Sequence, residues 1–356
     1  MRVLVSGGGT AGHVNAGIAI RDEFKKQDPN IELLFIGTKR GIEKDLIPKA
    51  GYKISYINSR GLNRESLPIL FYSFLLIPFS ICQSIIHIFK FKPDAVLGVG
   101  GFVSGPVLLS SALLGRSVFL LEQNAVMGLT NKSLSKFAKI IFSAFPLKAG
   151  QDILKKVVVC GNPVRGSIRA VTHKNNANKL VIFIFGGSQG ARAINNCIIG
   201  SIQKLNSLKD IKIYHQTGKL DFEKVKLAYK DATFEHEVFD YTYEIHKIYE
   251  EADLVISRSG AGTVFELMNA GLPSILVPLP TAADNHQYYN ARYLADKKSA
   301  IVIEQKHLNP DTLVENIKNL MLNRSLLDEM RKNINTVELK GKVAQQEIVK
   351  LIRERV

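Results

Sequence analysis

The chain has 356 residues, of which 46% are hydrophobic and 22% charged, with three cysteines and a formal net charge of +15. That composition excludes a disordered, collagen-like or disulfide-built chain, and the length suits two domains. The excess of 47 Lys and Arg over 32 Asp and Glu asks for an anionic partner: nucleic acid, a phosphorylated small molecule or an anionic membrane.

Residues 2–6 predict a short strand opening directly onto Gly7, Gly8, Gly9, Thr10, Ala11 and Gly12, and residues 16–27 predict a helix. There is no long apolar h-region or cleavage pattern at the start, so it is not read as a signal peptide. Gly7, Gly9 and Gly12 satisfy GxGxxG, a pattern that lets backbone approach a phosphate at a helix N-terminus. A dinucleotide site also needs an acid at the end of the second strand. That strand, predicted at 31–36, has Glu32 at its beginning and ends in Gly37, Thr38, Lys39 and Arg40. NAD is therefore disfavoured. A phosphate-bearing ligand of another kind and a tight turn with no ligand both stay open. His13 opens the helix, where a neutral imidazole serves as a base, a hydrogen-bond partner or simply a polar helix-start residue.

Between Ser66 and Phe89 there is no Asp, Glu, Lys or Arg. The run is long enough to span a bilayer, but Pro68 and Pro78 interrupt it, and Ser73, Ser80, Gln83, Ser84 and His87 are scattered through it. It reads as a core-packing helix or as a helix docking on an anionic membrane surface between Arg60, Arg64, Lys90 and Lys92. Residues 1–150 hold 18 Lys and Arg against 9 Asp and Glu, so lipid contact is expected in the first half.

A strand at 95–99 runs into Gly98, Gly100, Gly101 and Gly105, and a strand at 117–121 into Glu122, Gln123 and Asn124. The pattern restarts after a turn at 160–165. A strand at 180–185 opens onto Gly186, Gly187, Ser188, Gln189 and Gly190, with a helix from 191 and another strand at 211–215. A strand at 253–257 opens onto Arg258, Ser259, Gly260, Ala261 and Gly262, followed by a helix over 263–270, a strand at 274–277 and a helical region from 311 to 356. This alternation predicts an α/β chain of two doubly wound, parallel-sheet halves. Four glycine turns at strand ends would wall a cleft between them with N–H donors, a container for a pyrophosphate. Glu266, expected in the first turn of its helix, could accept from two ribose hydroxyls or complement the helix dipole. Cys82, Cys160 and Cys197 make no CxxC pair, and no Asp, Glu or His cluster has metal-ligand spacing, so neither metal nor cofactor is expected. Basic–aromatic interleaving and a helix-turn-helix pattern are absent, so nucleic acid is not expected.

An ordered set of motifs then carries a resemblance. Gly-Gly-Thr-Ala-Gly-His at 8–13, Gly-Val-Gly-Gly-Phe-Val-Ser-Gly-Pro at 98–106 and Glu-Gln-Asn at 122–124 with Gly-Leu-Thr-Asn at 128–131 come first. Gly-Asn-Pro-Val-Arg at 161–165, Gly-Gly-Ser-Gln-Gly-Ala at 186–191, Arg-Ser-Gly-Ala at 258–261 and Asp-Asn-His-Gln at 284–287 follow. Over nearly its whole length the chain resembles the MurG family, the family 28 glycosyltransferases that make lipid II for peptidoglycan. The resemblance implies a GT-B fold of two Rossmann-like domains with a cleft between them. Residues 1–163 with 338–356 would face acceptor and membrane, with the last helix crossing back onto the first domain, and residues 164–337 would bind UDP-GlcNAc. It implies inverting, metal-free transfer of GlcNAc to the C4 hydroxyl of the MurNAc of lipid I. The expected partners are UDP-GlcNAc, lipid I, the anionic membrane surface and other cell-wall synthesis proteins. The expected location is peripheral, on the cytoplasmic face of the bacterial cell membrane.

By motif, the resemblance assigns donor contacts to Thr10, Ala11, Gly12, Asn124, Arg165, Ser188, Thr242, Ala261, Gly262, Thr263, Val264, Phe265, Glu266 and Gln287, with His286 beside Gln287. Asn124 would touch the transferred sugar, Arg165 and Ser188 the diphosphate, Thr242 the uracil through its backbone, and Glu266 the ribose. The acceptor's diphosphate would lie against the glycine loops of the first domain. His13 is the candidate base, and Arg258 a candidate for the departing pyrophosphate. Two departures from the family pattern concern the first loop: Ala11 stands where a glycine is usual, and Ala16 where a proline is usual. Ala11 must keep a negative φ there, or the acceptor must shift. Leu121 also stands where the family often has His. The competing readings are another GT-B transferase or UDP-sugar epimerase, an NAD-dependent oxidoreductase and a nucleic-acid binder.

Overall fold

The structure, a computed structural model, describes residues 1–61, 67–164, 166–169, 171, 179–187, 189–341 and 343–356; of 67–72, 74 and 169 it describes the backbone alone. Two compact units divide the chain: Met1–Val164 with Lys342–Val356, and Arg165–Gly341.

The first unit is built on seven parallel strands: β1 (Arg2–Gly7), β2 (Glu32–Gly37), β3 (Ile54–Tyr56), β4 (Ala95–Gly100), β5 (Ser117–Glu122), β6 (Ile140–Ser143) and β7 (Val157–Val159). Their order is β3-β2-β1-β4-β5-β6-β7. Helices cover both faces, which is why β4 is buried at all six positions and reads as a continuous apolar run rather than an alternating one. The last helix, Ala344–Glu354, packs on Ala11–Gln27. It places Ile348, Val349 and Ile352 in one cluster with Val14, Ile20 and Phe24. Each such buried aliphatic side chain contributes about 1.5–3 kcal/mol, so the C-terminal segment is part of the first unit's core.

The second unit has six parallel strands: β8 (Leu180–Phe185), β9 (Ile211–Gln216), β10 (Glu235–Phe239), β11 (Leu254–Ser257), β12 (Ser274–Leu276) and β13 (Ala300–Val302). Their order is β10-β9-β8-β11-β12-β13. In both sheets the strand order reverses beside the first strand, between β1 and β4 and between β8 and β11. Open α/β sheets bind ligands beyond the strand ends at such a switch point.

The uncharged run forms the helix Leu67–Phe91. Its polarity is inverted along the described part. Ser73, Ser80 and Ser84 are buried with Ile88, while Leu75, Phe79, Ile86 and Phe89 are exposed. The Ser80 hydroxyl sits between the Leu76 and Asn58 carbonyls and donates to one of them at a time, and the Ser84 hydroxyl donates to the Ser80 carbonyl, so both are satisfied inside the packed face. Ser110 of the helix Ser104–Leu113 donates to the Ile81 carbonyl, so small side chains bring these two helices close. Among the described residues, no helix is long and apolar enough to cross a membrane.

Candidate active site

The turn after β1 is closed by its own chain. The Gly8 N–H donates to the Gly100 carbonyl at 3.2 Å. The Gly9 N–H donates to Glu43 Oε2 at 3.0 Å. Gly101 has φ +84°, and a Cβ there would lie 2.3 Å from the Gly8 carbonyl oxygen. The sequence pattern suggested a row of N–H groups ready for phosphate, but in this turn two of them are engaged internally. Thr10 is the N-cap of the helix Ala11–Gln27, its hydroxyl accepting from the His13 N–H at 3.4 Å. Ala11 is the first helical residue and is not among the described residues with positive φ, so its Cβ introduces no backbone strain. A Cβ on Gly12 would stand 3.7 Å from Gln123 Oε1.

His13 Nδ1 lies 3.1 Å from the Gly8 carbonyl oxygen. A carbonyl only accepts, so Nδ1 donates in this contact; when the ring is neutral, its lone pair then lies on Nε2. This tautomer is the one a general base needs if Nε2 faces substrate. At the end of β5, the Glu122 carboxylate accepts from the Asn124 N–H, the Gly128 N–H and Asn131 Nδ2 at 3.0, 3.0 and 2.9 Å. Burial pushes the Glu122 carboxyl above its ordinary value, and those donors pull it back. The loop carrying Asn124 is thereby pinned at both ends.

The second unit treats its turns differently. Gly190 and Gly218 lock back to back: a Cβ on Gly190 would lie 2.0 Å from the Thr217 carbonyl oxygen, and one on Gly218 2.4 Å from that of Gln189. This closure faces β9. On the switch-point side, a Cβ on Gly187, Gly260 or Gly262 would meet nothing within 4 Å. There the helix Ala261–Ala270 begins with Gly260 as N-cap, and its capping position makes no side-chain hydrogen bond. The Val264 N–H is the first taken inside the helix, by Gly260. An open helix N-terminus flanked by glycines is suited to an anion.

Glu266 is the sixth residue of this helix and lies in its second turn, one turn later than the sequence suggested. It is half-buried, and the buried Tyr249 hydroxyl donates to its Oε2 at 3.3 Å. Ala261, Val264 and Phe265 are buried, Val264 and Phe265 almost completely. Thr263 and Gly262 are half-buried at the helix start. Arg258 donates to the carbonyls of Val277 and Pro278 at 3.1 Å each and to Gln305 Oε1 at 2.6 Å, with burial lowering its pKa. Through these bonds it ties two loops together. The Thr242 N–H donates to Gln216 Oε1 at 3.2 Å, so a backbone contact to a base there falls to its carbonyl. Gln287 Oε1 accepts from the Leu279 N–H at 3.0 Å, which turns its amide NH₂ away from that loop. His286 Nδ1 donates to the Ala283 carbonyl at 2.7 Å. The two residues before it, Asp284 and Asn285, both have left-handed backbone, a conformation these residue types tolerate best and one that gathers at ligand sites. Arg165 and Ser188 lie outside the described residues.

Sequence reasoning passed over Glu43 and Tyr249, and took Asp284 and Asn285 only as part of a motif, without their backbone conformation. Glu43 and Tyr249 act through burial, which no local motif reports. An Asp-Asn pair before a helix is a readable left-handed signal. Among the described residues, no group of three or more His, Cys, Asp or Glu could hold a metal ion.

Comparison with known proteins decides the family. Residues 3–143 match the N-terminal domain of glycosyltransferase family 28, and residues 181–348 match its C-terminal domain. A Bdellovibrio bacteriovorus protein is 38% identical over 93% of each chain. The chain belongs to glycosyltransferase family 28. The Bdellovibrio protein is named as the UDP-N-acetylglucosamine–N-acetylmuramyl-(pentapeptide) pyrophosphoryl-undecaprenol N-acetylglucosamine transferase. A relative from Anaeromyxobacter with the same name is 39% identical over 90% of this chain and 85% of its own. Among solved structures, Acinetobacter baumannii MurG superposes with a TM-score of 0.80 at 32% identity, covering 99% of both chains. The UDP-GlcNAc 2-epimerase of Neisseria meningitidis superposes at 0.68 with 13% identity, a likeness of fold alone. The GT-B architecture of family 28 therefore accounts for the two parallel-sheet units.

Proposed function

We infer that this family 28 chain transfers GlcNAc from UDP-GlcNAc to the C4 hydroxyl of the MurNAc of lipid I, giving lipid II. The observation that carries this reading is the identity of 38–39% over nine-tenths of the chain to transferases of that name. Inversion takes one displacement: the acceptor oxygen attacks C1 of GlcNAc, the C1–O bond to UDP breaks, and the hydroxyl proton goes to a base. We assign the base to His13 Nε2. Charge developing on the departing diphosphate is assigned to the helix N-terminus at Ala261, Gly262 and Thr263, where backbone N–H groups are preorganised. Glu266, steadied by Tyr249, is assigned to the ribose hydroxyls, and Asn124 and Gln287 to the sugar. Neither metal nor cofactor is needed for this scheme, and a chelator leaves the rate unchanged. The test is transfer of labelled GlcNAc to a short-chain lipid I analogue by the purified chain. Product that appears only with both substrates supports the reading. Absence of product, with calorimetric binding of NAD in place of UDP-GlcNAc, overturns it.

We further propose that the helix Leu67–Phe91 rests on an anionic membrane surface at the cytoplasmic face. What supports this is the exposed row of Leu75, Phe79, Ile86 and Phe89, next to the exposed Lys90 and Lys92. Ile81 is only partly exposed, so Phe79 and Ile86 are the informative positions. Phe79→Lys with Ile86→Lys reduces sedimentation with phosphatidylglycerol vesicles about tenfold or more, at unchanged folding. Equal sedimentation returns the helix to packing alone.

A further inference from the structure

Glu43 follows β2 at the start of the helix Glu43–Lys49 and is fully buried. Its carboxylate lies among glycines: a Cβ on Gly8 would stand 2.5 Å from it and one on Gly41 2.0 Å. Three donors converge on it. Oε1 takes the Thr38 N–H at 2.9 Å and the Thr38 hydroxyl at 2.7 Å, and Oε2 takes the Gly9 N–H at 3.0 Å. The Gly41 N–H occupies Thr38 Oγ1 at 3.2 Å, which directs the hydroxyl proton toward Glu43. Both oxygens of the side chain are thus engaged by donors.

The Gly9 N–H and the Gly8 carbonyl belong to one peptide group. Its N–H end meets Glu43 at 3.0 Å, and its carbonyl end meets His13 Nδ1 at 3.1 Å. A trans peptide is rigid and points these two groups in opposite directions. Carboxylate, peptide and imidazole therefore form one hydrogen-bonded line. A carboxylate drawing on the N–H makes the carbonyl at the other end a stronger acceptor, because hydrogen bonds in series polarise one another. In serine hydrolases a carboxylate bonded directly to imidazole Nδ1 fixes the tautomer and steadies the imidazolium. Here one amide is interposed. The surrounding glycines keep the line intact: Gly9 has φ +82°, and a Cβ on Gly100 would lie 2.8 Å from the His13 ring.

We propose that Glu43 is a positioning residue that orients and polarises His13 through the peptide group joining Gly8 to Gly9. The catalytic part of this rests on His13 being the base of the proposed transfer. Glu43→Gln is near-isosteric, but it turns an amide NH₂ toward the donors on one side. In the full chain it lowers kcat about ten- to a hundredfold, with KM for UDP-GlcNAc within about twofold. Thr38→Val removes a partner of Oε1 and leaves the Gly9 bond in place, so its kcat stays within about threefold of wild type even where its melting temperature falls as far. The second readout needs no turnover. In ¹⁵N-labelled wild-type protein the Gly9 amide and His13 Nδ1 protons resonate downfield and exchange slowly, and in Glu43→Gln both move upfield.

Wild-type kcat in Glu43→Gln, equal kcat losses in the two variants, or a His13 Nδ1 proton absent from the wild-type spectrum would each overturn the proposal. Should Glu43→Gln not fold, the wild-type resonances alone decide. Should the wild-type chain transfer no GlcNAc, the functional reading fails by itself, and the resonances still test the link between Glu43 and His13.

Discussion

The two units place a glycine turn at the same topological point and close it in opposite directions. In the first unit Gly8 and Gly101 press together across the switch point between β1 and β4, and the Gly8 N–H is engaged by the Gly100 carbonyl. In the second, Gly190 and Gly218 press together on the β9 side, and the switch point between β8 and β11 is left open at Gly187, Gly260 and Gly262. The supports beneath the turns differ too. Under the first is the buried Glu43 carboxylate. Under the second is a neutral set: Asn195 Nδ2 donates to the Thr217 carbonyl and to Asp221, so its Oδ1 takes His215 Nε2–H, and His215 Nδ1 accepts from the Tyr229 hydroxyl. The nearest charge there, Asp221, faces Arg192 at 3.6 Å. Similar glycine patterns thus rest on different supports in the two units.

The largest expected effect tests the neutrality of the second support. Burial pushes the His215 pKa down to about 3 from an ordinary 6.5. Between those values the unfolded chain binds a proton that the folded one refuses, so stability is fully present above about pH 6.5 and falls as the pH drops toward 3. From pH 7 to pH 5 the loss is about 2 kcal/mol. Urea unfolding at pH 7 and pH 5 measures it, and His215→Gln, which cannot titrate, removes this part of the difference. An undiminished difference in that variant would place the acid sensitivity elsewhere.

A smaller effect tests the open switch point. Gly260 has φ −59°, and its Cβ position is empty, so Gly260→Ala folds with unchanged stability. The added methyl stands beside the helix N-terminus assigned to the donor diphosphate. We expect KM for UDP-GlcNAc to rise about tenfold, or about 1.4 kcal/mol, at near-normal kcat. An unchanged KM would move the diphosphate away from this turn.

How much of this was legible in the sequence follows from where each signal resides. The strand at 180–185 was placed to the residue, because a buried parallel strand is a bounded apolar run. The helices Ala11–Gln27 and Ala261–Ala270 begin earlier than predicted, since glycines and alanines in a first turn look like loop; for that reason Glu266 was set one turn too early. The three-residue strands Ile54–Tyr56, Val157–Val159 and Ala300–Val302 are too short to show a period. All four glycine turns are visible in the sequence, but not the internal hydrogen bonds that engage the first of them. Those bonds depend on Gly100, Gly101 and Glu43, far from Gly8 in sequence, and on side chains whose burial is a tertiary property. Arg258 and His215 show the same limit: a guanidinium beside a glycine turn reads as an anion contact, and a histidine in a strand reads as nothing in particular.

The smallest expected effect bears on the first turn. Ala11 stands where a family 28 phosphate loop would be expected to carry glycine, and that substitution matters only if backbone there must approach a ligand. The structure gives Ala11 ordinary helical backbone directly after the Thr10 cap, while the Gly8 and Gly9 N–H groups are engaged by Gly100 and Glu43. Restoring glycine by Ala11→Gly therefore has little to gain. It removes one methyl group at a helix start, where the helix-propensity penalty is smaller than the roughly 1 kcal/mol of a helix interior. The lost stability is about 0.5 kcal/mol, and KM for the lipid I analogue stays within about twofold. If the first turn instead cradles the acceptor's diphosphate, removing that Cβ lets the phosphate approach and lowers the acceptor KM several-fold. Steady-state kinetics with the acceptor varied at saturating UDP-GlcNAc separates the two outcomes, because a turn that only holds His13 has no reason to discriminate between alanine and glycine at this position.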